Sequence, residues 1–157
     1  PRVQLLGSGV ILREAIAAAD LLKKDWGVDA DIWGCPSFTE LARDGNAVTR
    51  WNTLHPADKP RTSHVERCLK DTQGPVIVTT DYMRLFAEQI RPLVPRRYAV
   101  LGTDGFGRSD TRAALRAFFE VDRRSIALAA LDAVDPALAE RARDSWGLSA
   151  GVPPWAR

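Results

Sequence analysis

The chain has 157 residues, of which 45% are apolar and 27% charged, the balance of one folded globular domain and not of a disordered or membrane-embedded segment. Its 22 basic and 20 acidic residues are interspersed, and a net charge of +2 argues against the positive field that a nucleic-acid backbone requires. No apolar run approaches the ~18 residues of a membrane span, and Pro1-Arg2 lead into a strand-like segment instead of a signal peptide, so the chain reads as cytoplasmic, with neither nucleic acid nor membrane as partner.

Val3 to Leu6 is a short apolar run closed by Gly7-Ser8-Gly9. Helical spacing follows from Val10 to Trp26, with Leu12, Ile16, Ala19 and Leu22 inward and Arg13, Ala17, Asp20 and Lys24 outward. Asp20 and Lys24 stand at pairing distance along the helix, and Gly27 stops it. Ala30 to Cys35 is a second strand. Ser37 and Glu40 have the spacing of a capping box, and the region from there to Leu54-His55-Pro56 is expected as two short helices. Asp58 to Ser63 reads as a loop and Val65 to Lys70 as a helical turn or two.

Gly74-Pro75 opens a third strand, Val76 to Thr80, whose β-branched residues suit a strand covered on both faces. Asp81 is then expected to cap a helix from Tyr82 to Ile90, with Met83, Phe86, Ala87 and Ile90 inward, ended by Pro92 and Pro95. Tyr98 to Leu101 is the fourth strand. After the glycine-rich loop, Ser109 or Asp110 is expected to cap a helix whose core side is Leu115, Phe118 and Phe119. The remainder to Trp146 is helical with a break at Asp135-Pro136, and Gly151 to Arg157 reads as a loose tail. Alternating strands and helices predict an α/β fold with a mostly parallel sheet between helical layers, forming one domain over residues 1–150.

Chemistry is hard to find in this sequence. Neither Gly7-Ser8-Gly9 nor Gly105-Phe106-Gly107 has the third glycine of a dinucleotide fingerprint, and neither continues into the G-K-[ST] of a P-loop. Asp104 and Asp110 would repel a phosphate held between them. Glycine serves equally where a strand turns sharply into a helix. Phe106 is then the unusual member, and we expect the loop of Asp104, Gly105, Phe106, Gly107, Arg108, Ser109 and Asp110 to face protein, with Phe106 as anchor and Arg108 paired to a carboxylate. An exposed Phe106 counts against that expectation. His55 and His64 read as hydrogen-bonded structural histidines, and Cys35 and Cys68 as two buried thiols. No residue is assigned a catalytic, cofactor-binding or metal-binding role.

Four segments carry a family resemblance: Leu5-Leu6-Gly7-Ser8-Gly9; Ser37-Phe38-Thr39-Glu40-Leu41-Ala42-Arg43-Asp44-Gly45; Thr80-Asp81-Tyr82-Met83 with Leu85 to Gln89; and Leu101-Gly102-Thr103-Asp104-Gly105-Phe106-Gly107-Arg108-Ser109-Asp110. With Arg50-Trp51-Asn52 and Leu54-His55-Pro56, they resemble the C-terminal domain of the homodimeric pyruvate dehydrogenase E1 component, a thiamine-diphosphate enzyme. The resemblance implies a transketolase C-terminal-like fold of about four strands in the order 2-1-3-4, without the family's antiparallel edge strand. It also implies that thiamine diphosphate and Mg²⁺ are held elsewhere in the parent enzyme, because the family's Gly-Asp-Gly motif with its downstream asparagine is absent; Asn46 and Asn52 both precede Asp104. The implied partners are the N-terminal and central domains of E1, a second E1 protomer, and the lipoyl domain of E2. The chain departs from the family pattern at His64, where an aromatic is commoner, and at Cys35, where a plain apolar residue is usual. A start at Pro1 fits an excised domain or a split subunit. The alternative is a free-standing small-molecule-binding or regulatory module, its ligand a metabolite anion at the sheet's switch point, where Gly7, Ser8, Gly9, Thr80 and Asp81 converge.

Overall fold

A computed structural model of the chain describes residues 1–148, 151–153 and 156. Its strands are β1 (Arg2–Gly7), β2 (Asp29–Gly34), β3 (Val76–Thr79) and β4 (Tyr98–Leu101). The helices are α1 (Leu12–Trp26), α2 (Phe38–Leu54), α3 (His64–Leu69), α4 (Arg84–Glu88), α5 (Arg112–Phe118), α6 (Arg123–Val134) and α7 (Pro136–Trp146). The sheet order is β2-β1-β3-β4, and every neighbouring pair is parallel, with Leu5 opposite both Ile32 and Ile77. Parallel neighbours cannot be joined by tight hairpins, which is why a helix follows every strand.

Alternation along β1 sorts the core into two layers. Val3 and Leu5, with Ile77, pack under α1, α6 and α7, where Ala15, Ala18, Leu22, Ile126, Ala130, Leu131 and Ala142 are buried. Leu6, with Val76 and Val78, packs against Phe38, Ala42, Val65, Leu69, Ala87 and Ile90 on the other side. β3 is buried throughout, as its apolar run predicts. Gln4 is buried among apolar residues, but its side-chain amide donates to Asp31 at 2.7 Å and to the Gln73 carbonyl at 3.0 Å, while accepting from the Trp33 indole at 2.8 Å.

Several sequence expectations shift. A 3-10 turn at Gly9–Ile11 rotates the entry to α1, so its buried stripe runs Ile11, Ala15, Ala18, Leu22, and Ile16 is 45% exposed. Lys23 pairs with Asp29 at 2.6 Å; the expected Asp20 to Lys24 pair is not formed among the described residues. The region expected as two short helices is one continuous α2. Gly45 does not break it, because the glycine faces inward against Leu93, where a Cβ would lie 2.4 Å from the leucine Cδ1. Ser37 caps α2 by accepting from the Glu40 amide at 3.2 Å, but Glu40 turns to Arg43, so the full capping box appears instead at Ser63 and Glu66 on α3. Of the tail expected from Gly151 to Arg157, residues 154, 155 and 157 lie outside the described set.

One buried charge ties the first helix to the last third of the chain. Glu14 is 5% exposed, and its carboxylate accepts from Arg116 at 2.9 Å and from the Arg123 amide and guanidinium at 3.0 to 3.2 Å. Burial pushes this carboxyl up, but the Arg123 hydrogen bonds and the charges of Arg123 and Arg116 outweigh it and hold it below the usual glutamate range.

Glu14→Gln is expected to lower the unfolding free energy by about 2–3 kcal/mol at neutral pH, because two guanidiniums lose their counter-charge while Arg123 keeps access to water; urea denaturation reads this. With the folded carboxyl below the unfolded one, its contribution is complete above the ordinary glutamate range and is lost as pH falls through the folded value. The difference between the two proteins should therefore shrink as pH falls below the ordinary glutamate range.

Candidate functional site

A parallel sheet delivers the connections that leave its strands to one rim. The helix following β1 lies in one layer and the helix following β3 in the other, so the crevice between β1 and β3 is the switch point of this sheet. Gly7, Ser8, Gly9, Thr80 and Asp81 do converge there. Ser8 donates its hydroxyl to Thr80 Oγ1 at 2.8 Å, Thr80 Oγ1 accepts from the Tyr82 amide at 3.2 Å, and the Ser8 amide bonds the Thr79 carbonyl. The crevice is closed by its own hydroxyls. Asp81 is exposed and does not cap α4, contrary to the sequence expectation; partial desolvation raises its carboxyl above the usual aspartate value while the Arg116 charge pulls the other way.

The cap on α4 comes from the neighbouring loop. Asp104 accepts from the Arg84 amide at 2.9 Å and from Arg84 Nε at 2.5 Å, so a carboxylate after β4 sits at the N-terminus of the helix after β3. Thr103 adds two bonds, its amide to the Tyr82 carbonyl at 2.9 Å and its hydroxyl to the Asp81 carbonyl at 2.5 Å. Gly102 permits this closeness, since a Cβ there would come 2.8 Å from the Tyr82 oxygen. Because the first turn begins at Arg84, the helix is short, and Met83 and Phe86, expected inward, are 49% and 39% exposed.

Beyond Asp104 the loop leaves the body of the protein. Gly105 turns at φ +100°, and residues 105–110 are all exposed. Phe106 is 86% exposed, the condition that counts against the expectation that it anchors this loop on protein. Arg108 meets no carboxylate among the described residues; its guanidinium lies over the Phe118 ring, 4.2 Å from the centroid. Thr111, not Ser109 or Asp110, caps α5, because Asp110 Oδ1 turns back to accept from the Thr111 amide at 2.8 Å. Leu115, Phe118 and Phe119 are half-buried on α5, which contributes no fully buried side chain.

Large exposed apolar side chains gather on the connections that leave β1, β3 and β4: Val10, Tyr82, Met83, Leu85, Phe86 and Phe106. Tyr82 and Leu85 are each 67% exposed, and the Tyr82 and Phe86 rings lie 5.7 Å apart. Single exposed apolar residues are ordinary, whereas several at one rim mark a surface suited to association.

A second place was not legible in the sequence. Cys35, Cys68 and His64 line one cavity of about 340 Å³ between the sheet, α2 and α3. Cys35 is buried and its thiol is pushed up to about 11 by burial, with a further push from Cys68. Cys68 is half-buried, not buried, and its Sγ lies 3.5 Å from His64 Nε2, whose ring is exposed. The spacing of His64 and Cys68 along a helix was the one available signal. His55 stacks on Trp51 at 4.3 Å, with Nδ1 2.8 Å from the Trp51 carbonyl.

The residues here do not fit a diphosphate with its magnesium. The Asp104 carboxylate is taken up by Arg84, and among the described residues no group of three or more His, Cys, Asp or Glu could hold a metal ion. No helix among them is long and apolar enough to cross a membrane.

A family model described as the transketolase-like TK C-terminal domain matches residues 1–122. The chain is 72% identical over 134 residues to a pyruvate dehydrogenase E1 component of Cupriavidus necator, in an alignment covering 85% of this chain and 15% of that protein. It is 64% identical over 133 residues to the Pseudomonas aeruginosa pyruvate dehydrogenase E1 component, covering 84% and 15%, and 54% identical over 131 residues to that of Escherichia coli, covering 83% and 14%. The chain thus spans about 15% of the length of these relatives. A solved structure described as a split-gene transketolase, inactive β4 tetramer, superposes with a TM-score of 0.57 at 16% identity, covering 85% of this chain and 39% of that one, which shows a shared fold.

Asp104→Ala removes both the cap and the ion pair at the start of α4. It is expected to destabilise the chain by about 1–2 kcal/mol and to speed hydrogen exchange at the Arg84 and Thr103 amides, with the α6 amides unchanged.

Proposed function

Because the chain belongs to the family of transketolase-like TK C-terminal domains, we propose that it is the C-terminal domain of a homodimeric-type pyruvate dehydrogenase E1 component, folded as one unit over residues 1–150. The observation that carries this reading is the 72% identity to such an E1 component, over an alignment that includes the whole glycine-rich loop region of the sheet rim. In this reading the parent enzyme decarboxylates pyruvate and passes the acetyl group to the lipoyl domain of E2 in the cytoplasm, with thiamine diphosphate and magnesium held by its other domains. This chain contributes surface to that enzyme and no group to its decarboxylation or acetyl transfer.

The exposed rim gives the contribution physical form. Phe106, Tyr82 and Leu85 bury against the N-terminal and central domains or a second E1 protomer, each large side chain gaining roughly 1.5–3 kcal/mol on leaving water. Arg108, held over Phe118 in the isolated chain, can turn to a carboxylate across the contact. Docking there fixes the loop beside the approach to the reacting centre and so shapes access to it. Binding of a small anion at Gly7, Ser8, Gly9, Thr80 and Asp81 has less support, since the Ser8 and Thr80 hydroxyls satisfy each other and Asp81 adds a negative charge.

The isolated chain supplied with thiamine diphosphate, magnesium and pyruvate is expected to show neither cofactor binding by calorimetry nor carbon dioxide release. Turnover by the chain alone would overturn the reading. In the full-length enzyme, Phe106→Asp is expected to weaken dimerisation at least about tenfold by sedimentation and to lower activity in parallel; an unchanged dimer and unchanged rate would show that the rim is not buried there.

A further inference from the structure

The cavity that holds Cys35, Cys68 and His64 belongs to none of the contacts assigned above. It is enclosed on one side by the sheet through Leu6 and Trp33, and on the others by Leu41 of α2 and by Val65 and Leu69 of α3, with Ile90 completing the wall. At about 340 Å³ it falls at the small end of the range that small-molecule sites occupy, roughly 300–1,000 Å³. Its lining contains no lysine or arginine, so it offers nothing to hold an anionic or strongly polar molecule. Its other polar groups are engaged: Ser37 Oγ accepts from the Glu40 amide at 3.2 Å, Glu40 pairs with Arg43, and the His64 amide donates to Asp44 at 2.6 Å. What remains facing an apolar space is a thiol and an imidazole, Cys68 Sγ and His64 Nε2, 3.5 Å apart and fixed one helical turn from each other on α3.

We propose that this cavity binds small apolar electrophiles of the α,β-unsaturated carbonyl class, and that Cys68 is alkylated there with His64 as its proton acceptor. With the imidazole proton on Nδ1, Nε2 takes the proton from the Cys68 thiol. The sulfur lone pair then forms a C–S bond to the β-carbon, the electron pair of the C=C bond moves to the α-carbon, and the resulting enolate recovers the proton from the imidazolium. Nothing leaves, and no oxidant or reductant is needed. Cys35 lines the same space without reacting, because its thiol is buried and is held in the protonated form by that burial, with a further push from Cys68. The apolar wall selects the reagent and the thiol–imidazole pair selects the cysteine.

The proposal is independent of the E1 reading and is tested on the 157-residue chain with two probes, N-methylmaleimide and N-hexylmaleimide, followed by peptide mass spectrometry. The native chain should be alkylated at Cys68 at least about tenfold faster than at Cys35. The preference for hexyl over methyl at Cys68 should exceed that of the urea-unfolded chain by about tenfold, since the longer chain buries several methylenes only when the cavity exists. His64→Phe, which keeps an aromatic ring and removes the base, should slow Cys68 by about tenfold or more with both reagents while leaving the chain-length preference. Equal chain-length preference in native and unfolded protein would overturn the cavity, faster labelling of Cys35 would overturn the choice of cysteine, and an unaltered rate in His64→Phe would remove the histidine from the step.

Discussion

Every strand in this sheet runs the same way, and that single constraint governs what the rest of the molecule can do. Parallel pairing forbids tight hairpins, so each strand must be followed by a connection long enough to return to the sheet's amino end, and the starts of those connections are collected at one rim. The rim is where the chain places the exposed side chains of Tyr82, Leu85, Phe86 and Phe106, its glycine-rich loop and its cross-strand Ser8 to Thr80 bond. The opposite end is spent on structure, with Gln4 and Asp31 closing the sheet's interior polar contacts. The division follows from strand direction before any particular side chain is chosen.

Glu14 shows how the rim is held in position from below. Its carboxylate reaches Arg116 on α5 and Arg123 at the start of α6, elements more than a hundred residues away in sequence. α5 has no fully buried side chain of its own, so the helix behind the glycine-rich loop depends on this ionic contact and on half-buried Leu115, Phe118 and Phe119 for its seat. A buried pair of this kind adds little net stability against an apolar alternative, but it fixes one geometry, because displacement leaves charges without partners in a dry environment. Placement of α5 fixes Phe118, and Phe118 in turn holds Arg108.

Much of the fold could be read from periodicity. β3 declares itself by an uninterrupted β-branched run, and the strand order implied by the family resemblance is the order observed. The misreadings have local causes. A 3-10 turn before α1 shifted the buried stripe by one residue, so Ile16 faces water; the two short helices expected between Ser37 and Pro56 are one, with Gly45 a packing surface for Leu93; and Asp104 supplied a cap that sequence proximity assigned to Asp81. The last two depend on neighbours remote in sequence, Leu93 and Arg84, which periodicity does not register. The aspartates of the glycine-rich loop argue against a phosphate from the sequence alone, whereas the cavity around Cys68 required the fold, because Cys35 and His64 are joined by no spacing rule. Both residues had stood out as departures from the family pattern, and both line that one cavity.

The fastening of the glycine-rich loop at Thr103 and Asp104 has a further consequence for association. Immobilising one residue's backbone is worth on the order of 1–2 kcal/mol of entropy, and any surface settling on a fully slack loop would have to supply that amount for every residue it orders. Here the stem is already locked by its bonds to Asp81, Tyr82 and Arg84, so only the exposed stretch from Gly105 onward is left to be ordered on contact. The intramolecular bonds thereby remove on the order of 2–4 kcal/mol from the penalty of engagement, and the tip keeps enough latitude to adjust Phe106 to whatever shape it meets.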